Sequence, residues 1–490
     1  MKTLRFPYDE ETGKLFFKGV RVRINNRTAN SLIQGEYEKI IGPTTKTIVY
    51  NAVNRTSKIF FNYIHQQNIK LGEYLKRDSI NRLLNLLPLM GYGLFEISEW
   101  DPEERRYEVK VRNCYNTLYY KDSDKPVCYE MAAKLAAIIE VVHGEKTACR
   151  ETQCSAMKEY DHCVFEISVG DESSQILRKP SSIQDETREY SEAKVLFNEE
   201  RGELFFENAN STIVPIEETT AIKKELEEII GATVYTIMYR LGIQATEEAL
   251  SKFEEGMIKV ARTVSKKRLI LKLLSQIPRR GFGIPELVEF DEEKFYVKLR
   301  VRNAMETVGY RDSEMPVCSL LAGVIAGGSG LVFNKEMDCI ETRCEAMGDP
   351  CCEFKAFEKI KVREELQSLL EHFALAGGID GSLVTAKNGN LLASQLPYGV
   401  DANRVAMASS IITRATDKSM NELNREPINK ITIEASDCKL IITSAGEAAE
   451  LVAITKPEAS LGLIFNEIRL ANKKIKEIMS KIIEAGEKTN

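Results

Sequence analysis

Two sets of residues in this 490-residue sequence have the types and spacing to do chemistry together. The first is Cys128, Glu151, Cys154 and Cys163, with steps of 23, 3 and 9. The second is Cys318, Glu341, Cys344 and Cys352, with steps of 23, 3 and 8. Two thiols eight or nine residues apart, with a third far upstream, occur twice. Zinc explains such a pattern, because it takes four N, S or O ligands in a tetrahedron. Soft thiolates favour it over magnesium or calcium. Buried free cysteines and a redox switch are the competing readings. The chain starts Met1-Lys2-Thr3-Leu4-Arg5-Phe6 with no apolar leader, and it has no run of the ~18 apolar residues that a membrane span needs. A cytoplasmic location is therefore expected, where eleven cysteines read as metal ligands or redox thiols rather than disulfides.

The elements that must position these residues come as a duplication. Tyr8-Asp9-Glu10-Glu11-Thr12-Gly13-Lys14-Leu15-Phe16-Phe17 returns as Phe197-Asn198-Glu199-Glu200-Arg201-Gly202-Glu203-Leu204-Phe205-Phe206. Gly91-Tyr92-Gly93 returns as Gly281-Phe282-Gly283, and Val111-Arg112-Asn113 as Val301-Arg302-Asn303. The offset stays at 189 or 190, which places copy one at 1–170, a polar linker at 171–192 and copy two at 193–360. Each copy begins with a hairpin that turns at Gly13 or Gly202. Helices are predicted over Thr44–Tyr63 and Asp78–Leu89, and over Ile216–Tyr239 and Glu247–Leu274. Tyr107–Val111 and Phe295–Val301 alternate as strands. A helix follows Cys128 and Cys318, and a hairpin closes each copy. Gly327-Gly328-Ser329-Gly330 is expected to cap that helix and turn the chain.

The string Glu341-Thr342-Arg343-Cys344-Glu345-Ala346-Met347-Gly348-Asp349-Pro350-Cys351-Cys352-Glu353-Phe354, with Cys318 upstream, resembles the end of a 4-vinyl reductase (4VR) domain. That family includes the sensory domains of aromatic-responsive bacterial regulators and is related to small α/β subunits of the TRAPP complex. Copy one shows the motif as Glu151-Thr152-Gln153-Cys154-Ser155-Ala156-Met157, then departs with one extra residue before Cys163 and no glycine in the turn. The resemblance implies two zinc sites held by three cysteines and a glutamate each, which are the eight residues above. It also implies a small apolar or aromatic ligand between sheet and helices, and pairing of the two copies as an internal pseudo-dimer. The residues themselves leave a rival open. Cys149 and Cys339 stand two positions before the glutamates, on the same strand face, which allows four-cysteine sites. Cys351 and His162 are further substitutes for a ligand. Arg150 and Arg343 are expected to neutralise the anionic donors. Cys114 and Cys438 read as packing residues, and so do the aromatic candidates Tyr119, Tyr120 and Tyr310.

From about residue 361 a different pattern begins. A helix over Val362–Leu375 precedes a strand at Ser382–Ala386, an Asn-Gly turn at Lys387–Asn390 and a return strand at Leu391–Ser394. A helix at Val400–Leu423, strands at Lys430–Glu434, Lys439–Ser444 and Glu450–Thr455, and a helix at Ser460–Ile482 complete it. This order over 361–490 resembles the Roadblock family of dynein light chains. The resemblance implies an α/β/α sandwich that forms homo-oligomers and meets small Ras-like GTPases. The chain as a whole is then α+β.

Several functions are excluded or demoted. A formal charge of −6 argues against nucleic-acid binding. No Walker A, HExxH or GxSxG signature is present. A closed four-ligand site leaves no open coordination position for catalysis. The expectation is a non-catalytic, zinc-containing sensor or scaffold. A cysteine-based redox sensor is one alternative, and a reductase-like enzyme with an unrecognised cofactor is another.

Overall fold

The computed structural model describes the chain outside residues 70–75, 121, 174–178, 181, 186, 208, 232, 252–264, 314, 376, 388, 424, 427, 447–448 and 485–490. Strands β1 (Lys2–Asp9), β2 (Lys14–Phe17) and β3 (Val20–Asn26) lead into helices α1 (Arg27–Ile41), α2 (Thr44–Ile69), α3 (Lys76–Leu84) and α4 (Leu86–Leu89). Strands β4 (Leu94–Asp101) and β5 (Arg106–Arg112), helix α5 (Tyr129–His143) and the hairpin β6 (Glu145–Gln153) and β7 (Cys163–Ser173) follow. The order then repeats. Copy two has β8 (Ser191–Asn198), β9 (Glu203–Phe206), β10 (Ala209–Pro215), α6 (Ile216–Ile230), α7 (Thr233–Ser251), α8 (Lys266–Leu274) and α9 (Gln276–Arg279). It continues with β11 (Ile284–Asp291), β12 (Tyr296–Arg302), α10 (Ser319–Phe333), β13 (Met337–Arg343) and β14 (Cys352–Glu358).

Each copy builds an antiparallel four-stranded sheet, in the orders β4-β5-β7-β6 and β11-β12-β14-β13. Alternation explains the faces: Tyr107, Val109 and Val111 of β5 point inward while Arg106 and Arg112 stay exposed. The leading strands do something the repeat did not announce. They close one barrel in the order β1-β2-β3-β10-β9-β8, half from each copy. Lys2 to Tyr8 of β1 pair with Phe197 to Ser191 of β8, and β3 pairs with β10. Each half also seats on the opposite copy: Ile24 N donates to Arg280 O at 2.9 Å, and Ile213 N donates to Met90 O at 2.9 Å. The copies therefore pair within one chain as a pseudo-dimer.

Two predicted helices differ from the structure. The stretch Ile216–Tyr239 breaks at Gly231, whose φ of 57° suits a left-handed cap. The stretch Glu247–Leu274 falls partly on 252–264, outside the described residues. Gly327–Gly330 are not a cap: they lie inside α10, which ends at Asn334 with φ 54°. The physical reason is a helix crossing. A Cβ on Gly323 would stand 2.0 Å from Tyr239 O, one on Gly242 2.2 Å from Leu320 O, and one on Gly327 3.1 Å from the Thr246 Cβ. Glycine lets α7 and α10 touch backbone to backbone, at a cost in helix propensity.

The last part carries α11 (Lys359–Ala374), β15 (Ile379–Ala386), β16 (Leu391–Gln395), α12 (Ala402–Glu422), β17 (Lys430–Glu434), β18 (Lys439–Ser444), β19 (Ala449–Thr455) and α13 (Leu461–Glu484). Its sheet order is β16-β15-β19-β18-β17. Leu366 and Leu370 of α11 and Ile468 and Ile475 of α13 bury one sheet face with Val384, Ile441 and Leu451. Ala406 of α12 covers the other with Leu383, Ile442 and Val452. The result is the α/β/α sandwich. Ile340 and Phe357, from the outer face of the copy-two sheet, join the core under α11 and α13. No helix among the described residues is long and apolar enough to cross a membrane.

Candidate metal centres

The two donor sets assemble from the same three elements in each copy. Cys128 and Cys318 are the N-cap residues of α5 and α10, where the helix dipole favours negative charge. Glu151 and Glu341 sit near the ends of β6 and β13, at bulges that re-aim the strand. Cys154 and Cys344 follow those strands, and Cys163 and Cys352 open β7 and β14. In each copy one atom from each of the four residues lies within 4.8 Å of the others. Cys128 Sγ is 3.7 Å from both Cys154 Sγ and Cys163 Sγ. In copy two the Cys318–Cys352 and Cys352–Cys344 separations are 3.6 and 4.0 Å. A tetrahedron with metal–sulfur bonds of ~2.3 Å has edges of about 3.8 Å.

The glutamates carry the more telling detail. Cys128 N donates to Glu151 Oε2 at 2.7 Å, and Cys318 N donates to Glu341 Oε2 at 2.8 Å. The other oxygen, Oε1, is buried without a hydrogen-bond partner in both. Burial pushes Glu151 up to about 8 and Glu341 well above the ordinary carboxylate range. Burial also raises the Cys128 and Cys318 thiols. A divalent cation reverses this logic, since it favours the anionic form of every donor. Three soft thiols and one orphaned carboxylate oxygen thus fit a zinc-type ion, and each copy has a cysteine-rich cluster able to hold a metal.

The backbone, rather than arginine, supplies neutralising donors. Ser155 N donates to Cys163 Sγ at 3.4 Å, Glu345 N to Cys352 Sγ at 3.4 Å and Val317 N to Cys344 Sγ at 3.5 Å. Arg150 and Arg343 are exposed, because the pleat turns them away from the buried face. Cys149 and Cys339 lie outside both clusters, packed in the hydrophobic cores. Cys351 is half-buried and also outside. His162 contacts Asp161 instead. Cys114 is more than a packing residue: its Sγ is 3.7 Å from Cys128 Sγ, and copy two has Ala304 at the equivalent place. Comparing the two copies position by position was the signal that exposes it.

A second feature was absent from the residue-level expectations. An apolar cavity of about 260 Å³ opens in copy two between α7, α8, α10 and the barrel. Ile270, Leu274, Phe282, Leu321, Ile325 and Gly328 are among its walls. Tyr119, Tyr120 and Tyr310 are not part of it. Helix α10 thus starts at the donor cluster and forms a wall of the cavity.

Comparison with known proteins gives matches to these parts. The 4-vinyl reductase (4VR) domain model matches residues 107–169 and 297–357, and the Roadblock/LC7 domain model matches 365–455. An uncharacterized protein of Methanocaldococcus jannaschii, MJ1340, is 36% identical over 99 residues, 20% of this chain and 86% of that protein. Myxococcus xanthus MglB is similar in structure, with a TM-score of 0.24 and 18% identity over 24% of this chain and 90% of its own. So is a vinyl-4-reductase family protein from M. jannaschii, with a TM-score of 0.19 and 22% identity over 24% of this chain and 68% of its own.

Proposed function

Because the chain belongs to the 4-vinyl reductase family, with two 4VR domains and a C-terminal Roadblock/LC7 domain, we propose that it is a non-catalytic, zinc-containing cytoplasmic sensor and scaffold. Zinc at Cys128, Glu151, Cys154 and Cys163, and at Cys318, Glu341, Cys344 and Cys352, would staple each closing hairpin to the start of α5 or α10. A small apolar or aromatic ligand would occupy the 4VR fold. The Roadblock/LC7 domain would provide self-association or a surface for a small Ras-like GTPase.

The observation that carries this reading is the position of α10. Its N-cap thiol belongs to the donor cluster, and Leu321, Ile325 and Gly328 on the same helix wall the cavity. The cavity exceeds the ~150 Å³ that admits a benzene-sized molecule. The sheet that α10 covers packs its outer face against α11 of the Roadblock/LC7 domain, which gives occupancy a route outward. The test uses the full chain purified without chelator. About two zinc ions per chain, with melting temperature raised by benzyl alcohol or 1-octanol, support the reading. Metal-free protein with all thiols titratable, or no shift with either alcohol, overturns it.

One observation favours a second reading, a redox sensor. Cys114 places a fourth thiol against Cys128 in copy one only. Peroxide would take two electrons and two protons from the pair, giving a disulfide and two waters, and would release metal from copy one alone. Unchanged thiol count and metal content after mild peroxide would sink it.

A further inference from the structure

The copy-two cavity is apolar over most of its wall, yet two arginines enter it side by side. Arg23 comes from β3 of copy one and Arg280 from the turn after α9. Ile24 N donates to Arg280 O at 2.9 Å, and a Cβ built on Gly281 would lie 3.3 Å from the Arg23 Cα. Arg23 is only 4% exposed. Its Nη1 donates to Asn25 Oδ1 at 2.6 Å, and its Nε has no partner.

The neighbouring carboxylates are already engaged. Glu218 is held by Lys134 at 2.5 Å, Glu306 by Lys223 at 3.2 Å and Glu207 by Arg279 at 2.6 Å. Neither Arg23 nor Arg280 makes an ion pair among the described residues. A guanidinium keeps its proton under all ordinary conditions, so burial without a counter-charge is costly. An anion brought in from outside offsets that cost, and the planar fork suits a carboxylate.

The duplication supplies an internal contrast. At the positions equivalent to Arg23, Arg280 and Gly328, copy one's half of the repeat has Thr212, Met90 and Ile138. Thr212 and Met90 are uncharged, and Ile138 places a branched side chain where α10 has none. The paired charges and the opening at Gly328 are therefore specific to copy two.

We propose that the copy-two cavity binds an apolar acid, with its carboxylate on Arg23 and Arg280 and its hydrocarbon among Ile270, Leu274, Leu321 and Ile325. The proposal rests on the reading of this cavity as the ligand site.

Calorimetric titration of the zinc-loaded full chain decides it, with octanoate against 1-octanol and benzoate against benzyl alcohol as probes. Each acid is expected to bind at least about tenfold more tightly than its alcohol. Arg280→Met and Arg23→Thr should each erase that preference while leaving alcohol affinity within about threefold, which reports an intact cavity. If Arg23→Thr loses its cooperative melt, Arg280→Met decides alone. Equal binding of acid and alcohol by the unaltered chain, or an acid preference that survives Arg280→Met, overturns the proposal. Failure of the underlying cavity reading looks different: neither acid nor alcohol binds, or Gly328→Leu leaves both bound.

Discussion

Glu341 Oε2 accepts the backbone N–H of Cys318 at 2.8 Å, while Glu341 Oε1 is buried with no partner. That single hydrogen bond fixes the carboxylate and leaves one oxygen free beside three sulfurs. Glu341→Ala should therefore weaken zinc binding in copy two by on the order of 10- to 100-fold or more. Competition with a chromophoric chelator measures it. Arg343→Ala should leave the affinity unchanged, because that side chain is exposed.

The same substitution should have opposite signs at two glycines of one helix. A Cβ on Gly328 meets only Leu273 Cδ1 at 3.9 Å, whereas one on Gly323 would meet Tyr239 O at 2.0 Å. Gly328→Ala is expected to stabilise by about 0.5–1 kcal/mol through helix propensity. Gly323→Ala must push α7 and α10 apart and is expected to cost more than about 2 kcal/mol. Chemical denaturation of both variants checks the pair, and equal effects would contradict the observed crossing.

A buried ion pair bridges the copies. Lys134 on α5 meets Glu218 on α6 at 2.5 Å, and Glu130 is 3.3 Å from the same ammonium. Removing the cation alone strands the carboxylates in the interior. Lys134→Met should cost about 3–5 kcal/mol, and adding Glu218→Met should recover a large part of it. A double mutant no more stable than Lys134→Met would refute this.

His143 gives a pH dependence. Its Nε2 is 2.9 Å from Tyr107 Oη. Burial first, then Lys76 and Arg105, pull its pKa down to about 4. The unfolded chain takes up this proton near pH 6.5, before the folded chain does, so stability falls as pH drops from about 6.5 towards 4. With the ring about half exposed, the loss is about 1–2 kcal/mol after allowance for solvent screening. Denaturant midpoints across that window should be flatter in His143→Gln. An identical slope would remove His143 as the cause.

Much of the fold is legible because its signals are local. Period-two alternation marks β5 and β12, and the strands predicted at Lys430–Glu434 and Lys439–Ser444 have those bounds in the structure. The grouping of Cys128 with Glu151, Cys154 and Cys163 was readable because the spacing recurs in copy two, and the structure brings both sets within 4.8 Å. Gly327–Gly330 misled for a physical reason. Glycine reads locally as a helix stop, and only the approach of Gly242 and Thr246 on another helix shows why it is tolerated mid-helix. Arg150 and Arg343 misled because proximity in sequence to a ligand does not set which way a strand residue faces.

By itself, the sequence determined the duplication, the donor spacing and the order of elements in the C-terminal sandwich, all of which depend on residues near one another along the chain or on self-comparison. Tertiary structure decided the rest. The shared barrel is made by backbone hydrogen bonds between strands such as β1 and β8, about 190 residues apart. Such pairing carries no side-chain code. The same closure brings Arg23 of one copy beside Arg280 of the other and leaves both without a counter-charge. Burial is a property of what surrounds a residue, and those surroundings exist only once the two copies have closed on each other.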